Sequence, residues 1–235
     1  MTPLMHSARA RAGARAFTRL ELVVVVALGA LLLGALLPAV GGTRQRADRL
    51  VCLNNLRQIG VAQRSWGAAH DDISPSGYPM ELGGLERAPQ GAQVFVQFGI
   101  LSNELASARL LACPADPWVK PARDFEQLYH MAWRNQAISY FKMVDTWLEA
   151  EDSAWAGDRN IRPSTRGVSC PRLPTGLTPA VVFIRQDFNV AWTNGVHGTG
   201  NLLLPDGGAE EVGPARLNLV LTRFRPGTPH ALFPR

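Results

Sequence analysis

Glu21 stands at the head of a long apolar run, which makes it the first carboxylate whose chemistry asks for an account. A charge at the edge of hydrocarbon is tolerated when it meets a cation, reaches a headgroup zone or is neutralised, so its natural chemistry is charge pairing. A second group lies towards the C-terminus, where His197, Asn201, Asp206 and Glu210 carry donors of the kind calcium takes. Asn201, Asp206 and Glu210 are the calcium candidates. Their spacing matches no EF-hand, however, and Asp206-Gly207 is accounted for as turn chemistry, so no metal or other cofactor is expected. His70-Asp71-Asp72 has ligand-type side chains but falls where a helix should end in solvent. Gly198-Thr199-Gly200 precedes a strand and lacks the helix N-terminus that a phosphate loop needs. There is no Gly-x-Ser-x-Gly elbow, which leaves a hydrolase without positive support and names no catalytic residue. Cys52, Cys113 and Cys170 have no Cys-x-x-Cys spacing and make no zinc site. Six tryptophans (Trp66, Trp118, Trp133, Trp147, Trp155, Trp192) are of the type that lines sugar-binding surfaces, although such residues more often anchor cores and loops.

The elements that carry these groups follow from the apolar pattern. From Leu22 to Val40 nineteen consecutive residues carry no charge. As a helix they span about 28 Å, against a hydrocarbon thickness of roughly 30 Å, and read as a membrane segment. Residues 1–16 hold Arg9, Arg11 and Arg15 and no acid, the pattern of a basic leader. Arg19 precedes the run while Arg44, Arg46, Arg49 and Arg57 follow it, so positive charge does not decide orientation. The whole chain carries 24 basic and 19 acidic side chains, a formal +5; without residues 1–16 the count is 21 against 19, or +2. The basicity is therefore largely the leader's and is no sign of a nucleic-acid partner. After Gly41-Gly42, Leu50, Leu53, Leu56, Ile59 or Gly60, and Trp66 recur at helical spacing. This predicts an amphipathic helix over 43–70 that continues the membrane helix of 17–42, with Trp66 in the core and Pro38 and Gly41-Gly42 as a kink or flexible point. Residues 71–235 form the head. Within it 93–101 and 180–185 read as strands, 191–194 as a shorter one, and 202–205 with 209–212 as a hairpin turned by Asp206-Gly207. Residues 124–156 are ambiguous between helix and loop, and no internal repeat is present. The fold class is α+β, one long N-terminal helix laid against an antiparallel sheet.

Phe17, Thr18 and Glu21, set between the basic leader and the apolar run, resemble the N-terminus of type IV prepilins and type II secretion pseudopilins. That signature is a small residue followed by Phe-Thr-Leu-x-Glu; Ala16 stands here for the usual Gly and Arg19 for the usual Leu. Pro38 falls where such helices commonly carry a proline. Further elements are similar to a large pseudopilin-like group: Cys52-Leu53-Asn54-Asn55-Leu56-Arg57-Gln58-Ile59-Gly60, Cys113-Pro114-Ala115-Asp116-Pro117, Ser139-Tyr140, and the run from His197 through Gly200-Asn201 to Asp206-Gly207. In the last of these, eight residues separate His197 from Asp206 where the group has nine, and Gly208 stands for a second His.

The resemblance implies cleavage between Ala16 and Phe17 by a prepilin peptidase and methylation of the new amine. It implies a pilin-like fold, a bacterial inner-membrane location with the N-terminus inside and the head outside, and assembly with other pilin-like subunits by the secretion or pilus machinery. Glu21 would then offset the charged N-terminus of a neighbour. The protein would be structural rather than an enzyme, with no nucleic-acid partner. A Cys52–Cys113 disulfide would tie helix to head, and buried free thiols are the other reading. A rival cut near Ala39-Val40-Gly41 would release the head. That cut, or an uncleaved anchor, suits an extracytoplasmic binding protein, for polysaccharide among other ligands, or a hydrolase.

Overall fold

The computed structural model describes residues 18–86, 93–144, 154–162, 181–183, 191–193, 199–222 and 230–234. Ala16, Phe17, Cys170 and His197 lie outside them. The chain divides into two compact units, Met1–Arg44 and Gln45–Arg235.

Helix α1 (Arg19–Ala68) is 50 residues long and begins directly after Thr18. It is continuous through Pro38 and Gly41-Gly42, where the sequence predicts a kink or flexible point. A single proline removes one backbone bond, and the turns on either side remain paired. In the second unit the helix buries Cys52, Leu56, Ile59, Ala62 and Trp66 at steps of three and four. Leu50, counted in that stripe by its spacing, is instead exposed, because two residues before Cys52 is about 200° around the helix.

The head combines short helices with an antiparallel sheet, so the α+β class holds. Strands β1 (Tyr140–Met143), β2 (Ala156–Asp158), β4 (Val181–Phe183), β6 (Gly200–Leu203), β7 (Ala209–Val212) and β8 (His230–Leu232) form one six-stranded sheet in the order β4-β8-β1-β2-β6-β7. Every neighbouring pair in it is antiparallel. β3 (Ile161–Arg162) and β5 (Ala191–Trp192) pair separately. Alternation along the strands divides two apolar layers. Tyr140 and Leu203 join the cluster holding Cys52, Leu56, Ile59, Phe98, Leu128 and Trp155. Phe141, Met143 and Leu202 join Leu217 and Val220 of helix α4 (Pro214–Thr222) on the other side. Both faces of β1 and β6 are thus covered, and every residue in these two strands is buried. The β6–β7 hairpin forms as its sequence predicts, with Gly207 at φ +80°, a left-handed position that glycine adopts without strain.

Residues 93–101, read as a strand, are corrected to a helix: α2 (Val94–Gly99). All six of its residues are buried, and a short run that is apolar on every side carries no period to separate a buried helix from a buried strand. The stretch 124–156, ambiguous by sequence, supplies helix α3 (Phe125–Tyr129), a 3-10 turn (Arg134–Ala137) and β1. α2 and α3 meet through Phe95 and Tyr129, edge to face at 5.5 Å.

Helix α1 approaches the hairpin closely at Gly60. A Cβ there would lie 2.7 Å from Leu203 Cδ1 and 3.2 Å from the carbonyl oxygen of Gly207. Leu203 can yield, but the Gly207 backbone cannot without moving the turn. Gly60→Val therefore lowers the unfolding free energy by about 2 kcal/mol in urea denaturation despite valine's better helix propensity. An unchanged midpoint would be incompatible with this packing.

Candidate functional site

In the first unit, the start of α1 is closed by its own residues. Thr18 donates from its backbone N (2.8 Å) and from Oγ1 (2.8 Å) to Glu21 Oε2, and Glu21 N donates back to Thr18 Oγ1 at 3.2 Å. This reciprocal capping box satisfies donors that a helix start leaves open. The signature Thr-x-x-Glu is visible in the sequence, but read only as part of a longer motif it conceals this local role. Past the cap, Val23, Val24, Val25 and Val26 are each between 48% and 66% exposed. Four consecutive residues cover the full circumference of a helix, so this segment has no buried side. Among the described residues no helix is long and apolar enough to cross a membrane. The side chains described along the apolar run end at Ala35, and those of 36–42, Pro38 included, lie outside the described set.

In the second unit, the scattered motif residues converge on one buried polar cluster. Cys52 of α1 and Cys113 are joined in a disulfide with a sequence separation of 61 and a Cα–Cα distance of 5.1 Å. One turn along the helix, Asn55 Nδ2 donates to the carbonyl of Ala112 at 3.2 Å. Tyr140 Oη donates to the carbonyl of Cys52. Ser139 Oγ accepts the Cys113 N–H at 2.9 Å, and its carbonyl accepts the Arg159 N–H at 2.9 Å. Arg159 in turn grips Asp116 with two bonds of 2.7 and 2.8 Å. The Asp116 side chain is wholly buried, a geometry that favours a bidentate guanidinium. Beside it, Asp158 Oδ2 accepts Asn201 N at 2.8 Å and Asn201 Nδ2 at 3.0 Å.

Burial dominates the electrostatics of this cluster. It pushes the Asp158 carboxyl up to about 7, with the Asp116 charge acting in the same direction and the two Asn201 bonds and Arg49 opposing. It also raises the Tyr140 hydroxyl well above its ordinary value, helped by the charges of Asp158 and Asp116. Asp158 and Arg159 carry none of the sequence signals used to find sites; each is a single charge in or beside a short strand.

A row of arginines from α1 runs along the edge strand β7. Arg49 Nη1 pairs with Glu211 Oε1 at 2.7 Å, Arg57 Nη2 reaches the carbonyl of Ala209 at 3.4 Å, and Arg64 Nη1 donates to the carbonyl of Asp206. Positions 49, 57 and 64 thus meet 211, 209 and 206 in descending order. This covers an edge that would otherwise offer its backbone to another chain.

The remaining candidates separate. Asn201 is taken up by Asp158, the Asp206 carboxylate accepts the Gly208 N–H at 2.7 Å, and Glu210 pairs with Arg216 at 3.3 Å. Each of the three calcium candidates therefore answers to a different partner. Among the described residues no group of three or more His, Cys, Asp or Glu side chains is arranged to hold a metal ion. His70 is not left to solvent: its ring stacks on Trp66 at 3.7 Å and meets Tyr78 edge-on at 4.9 Å, while Asp71 and Asp72 are exposed, with left-handed backbones at φ +54° and +55°. Of the tryptophans, Trp66 and Trp155 are core, Trp133 and Trp192 are partly buried, Trp118 is exposed, and Trp147 lies outside the described residues. Comparison with protein-family models, with characterised proteins and with solved structures returns no match for this chain.

Proposed function

We propose that the protein is a structural, pilin-like subunit of a type II secretion pseudopilus or related type IV filament. In this reading the long helix α1 has a membrane half and an amphipathic half, and the sheet head packs on the latter in the pilin manner. The leader is removed between Ala16 and Phe17 by a prepilin peptidase, and the new amine is methylated. The subunit stands in a bacterial inner membrane with its N-terminus inside and its head outside, and the secretion or pilus machinery assembles it with other pilin-like subunits.

The observation that carries this reading is the apolar surface of α1. From Leu22 to Leu33 the large apolar side chains of the described helix are exposed on all sides. A surface of that kind is stable only in lipid or against other apolar helices. Gly29 and Gly34, where an added Cβ would meet nothing, offer small-residue positions for close helix contact. The capped Glu21 at its start supplies a charge to be matched in the assembly.

Mass spectrometry of the mature protein tests the proposal. A first residue of methylated Phe17 supports it; a start near Gly41, or an intact Met1, overturns it. A second expected result is that Glu21→Ala still inserts into the membrane but no longer assembles, and normal assembly of that variant counts against the role of the charge.

A further inference from the structure

We propose that Arg19 of one copy of this chain pairs with Glu21 of the next, so that a side-chain cation sets the register between copies. This rests on the assembly reading above and names the contact within it. Arg19 and Glu21 are two residues apart on one helix, about 200° around its axis, and cannot meet within a chain. Among the described residues Arg19 enters no ion pair. The Glu21 carboxylate is only half occupied among the described residues: Oε2 accepts both bonds from Thr18, and Oε1 accepts none. One side of the helix start therefore presents a guanidinium and the opposite side an open carboxylate oxygen.

The apolar surface begins at the next residue, Leu22, and must be covered. Whatever covers it also takes these two charges out of water, where a lone guanidinium or carboxylate is strongly penalised and a matched pair is tolerated. A second copy supplies both matches from one sequence. Because the charges lie on opposite faces, a two-fold contact centred on either charged face would set Arg19 on Arg19 or Glu21 on Glu21. A head-to-tail contact instead gives each copy one neighbour for Arg19 and another for Glu21, and such a contact propagates. Guanidinium suits the role because it stays charged and forks onto a carboxylate.

Full-length chains carrying two different tags, co-expressed and purified through one tag from gently solubilised membranes, test the pairing, with membrane insertion followed by carbonate extraction. R19E alone and E21R alone each place like charges in contact, and each lowers recovery of the second tag by roughly tenfold or more. Mixing R19E with E21R makes every contact opposite in charge again and restores recovery to within about twofold of wild type. The same holds for the double swap R19E/E21R. Because a defect in insertion cannot be cured by mixing two defective chains, the rescue separates pairing from folding. Association of R19E at the wild-type level, or single losses that the mixture does not recover, overturns the pairing and leaves the assembly reading standing. Failure of wild-type copies to associate overturns both.

Discussion

Breaking the Cys52–Cys113 disulfide lowers the unfolding free energy of the head by about 4 kcal/mol, the loop-closure value for a cross-link spanning some sixty residues. In a protein of this size that corresponds to a fall in melting temperature of roughly 10 °C. The cross-link joins a residue of α1 to the loop after the 3-10 turn at Ala108–Leu111, so the reduced unfolded chain regains the freedom of everything between them. The folded state loses less. Asn55 still reaches the carbonyl of Ala112, which keeps one hydrogen bond between helix and loop, and Ser139 still receives the Cys113 N–H, which holds the loop to the start of β1. The effect is therefore chiefly on the unfolded chain, and the Cys52→Ser/Cys113→Ser pair should retain its native circular dichroism below its lowered transition. The measurement is thermal and urea unfolding of the full chain in detergent, with and without reductant. A change below about 1 kcal/mol would mean that the reduced chain is already held together at this junction by other contacts.

The parts of this structure that could be read from the sequence are those encoded locally. The second half of α1 is announced by Leu53, Leu56, Ile59 and Trp66 at helical spacing, and the hairpin by Asp206-Gly207 between two short apolar runs. Both are near-neighbour signals, and packing reinforces rather than opposes them. Residues 94–99 failed for the complementary reason: Val-Phe-Val-Gln-Phe-Gly is buried on every side, so no solvent face remains to reveal the period. Leu50 shares the apolar type of the stripe but not its angle, since it lies about 200° from Cys52 around the helix. The cysteine pairing was accessible only through the resemblance, since spacing alone allows three pairings among three thiols. The polar cluster was legible in part. Asn55, Asp116, Ser139, Tyr140 and Asn201 lie within recognisable motifs, but nothing local tells that Asp116 meets Arg159 or that Asp158 meets Asn201, each 43 residues apart. Such pairs are fixed by sheet register and helix docking, which are long-range.

The motif residues act on the fold before they act on any partner. Cys52 and Asn55 attach α1 to the Cys113 loop, Ser139 and Arg159 attach that loop to β1 and the end of β2, and Asn201 carries the connection to β6. The arginine row then fixes the same stretch of α1 along β7. Residues spread over 150 positions thus share one consequence, the orientation of the second half of α1 on the sheet. For the proposed subunit, whose helix would transmit contacts to its head, that orientation is a requirement.

Two buried titratable groups in this sheet should give the protein a stability minimum near neutral pH, where most proteins are near their maximum. Lys142 in β1 is fully buried and has no carboxylate partner among the described residues; its Nζ donates to the carbonyls of Met143 at 3.0 Å and Trp155 at 3.4 Å, and burial pushes it down to about 7. Asp158 is pushed up to about 7, chiefly by the same cause. The unfolded chain titrates them near 10.5 and 3.8. Between pH 4 and 7 the folded state holds the Asp158 proton that the unfolded state has lost, so stability falls as pH rises. Between pH 7 and 10.5 the folded state has released the Lys142 proton that the unfolded state keeps, so stability rises with pH. Each limb amounts to roughly 4 kcal/mol as an order of magnitude. Urea unfolding from pH 4 to 10 should show the minimum directly, and difference profiles against two variants assign its limbs. Lys142→Met, which removes a buried charge without emptying its site, should stabilise the protein at pH 6 by several kcal/mol and abolish the alkaline rise. Asp158→Asn should flatten the acid limb while leaving the alkaline one in place. If Lys142→Met destabilises at pH 6 as much as at pH 10, the ammonium is not held at an electrostatic penalty and the two backbone carbonyls suffice to solvate it.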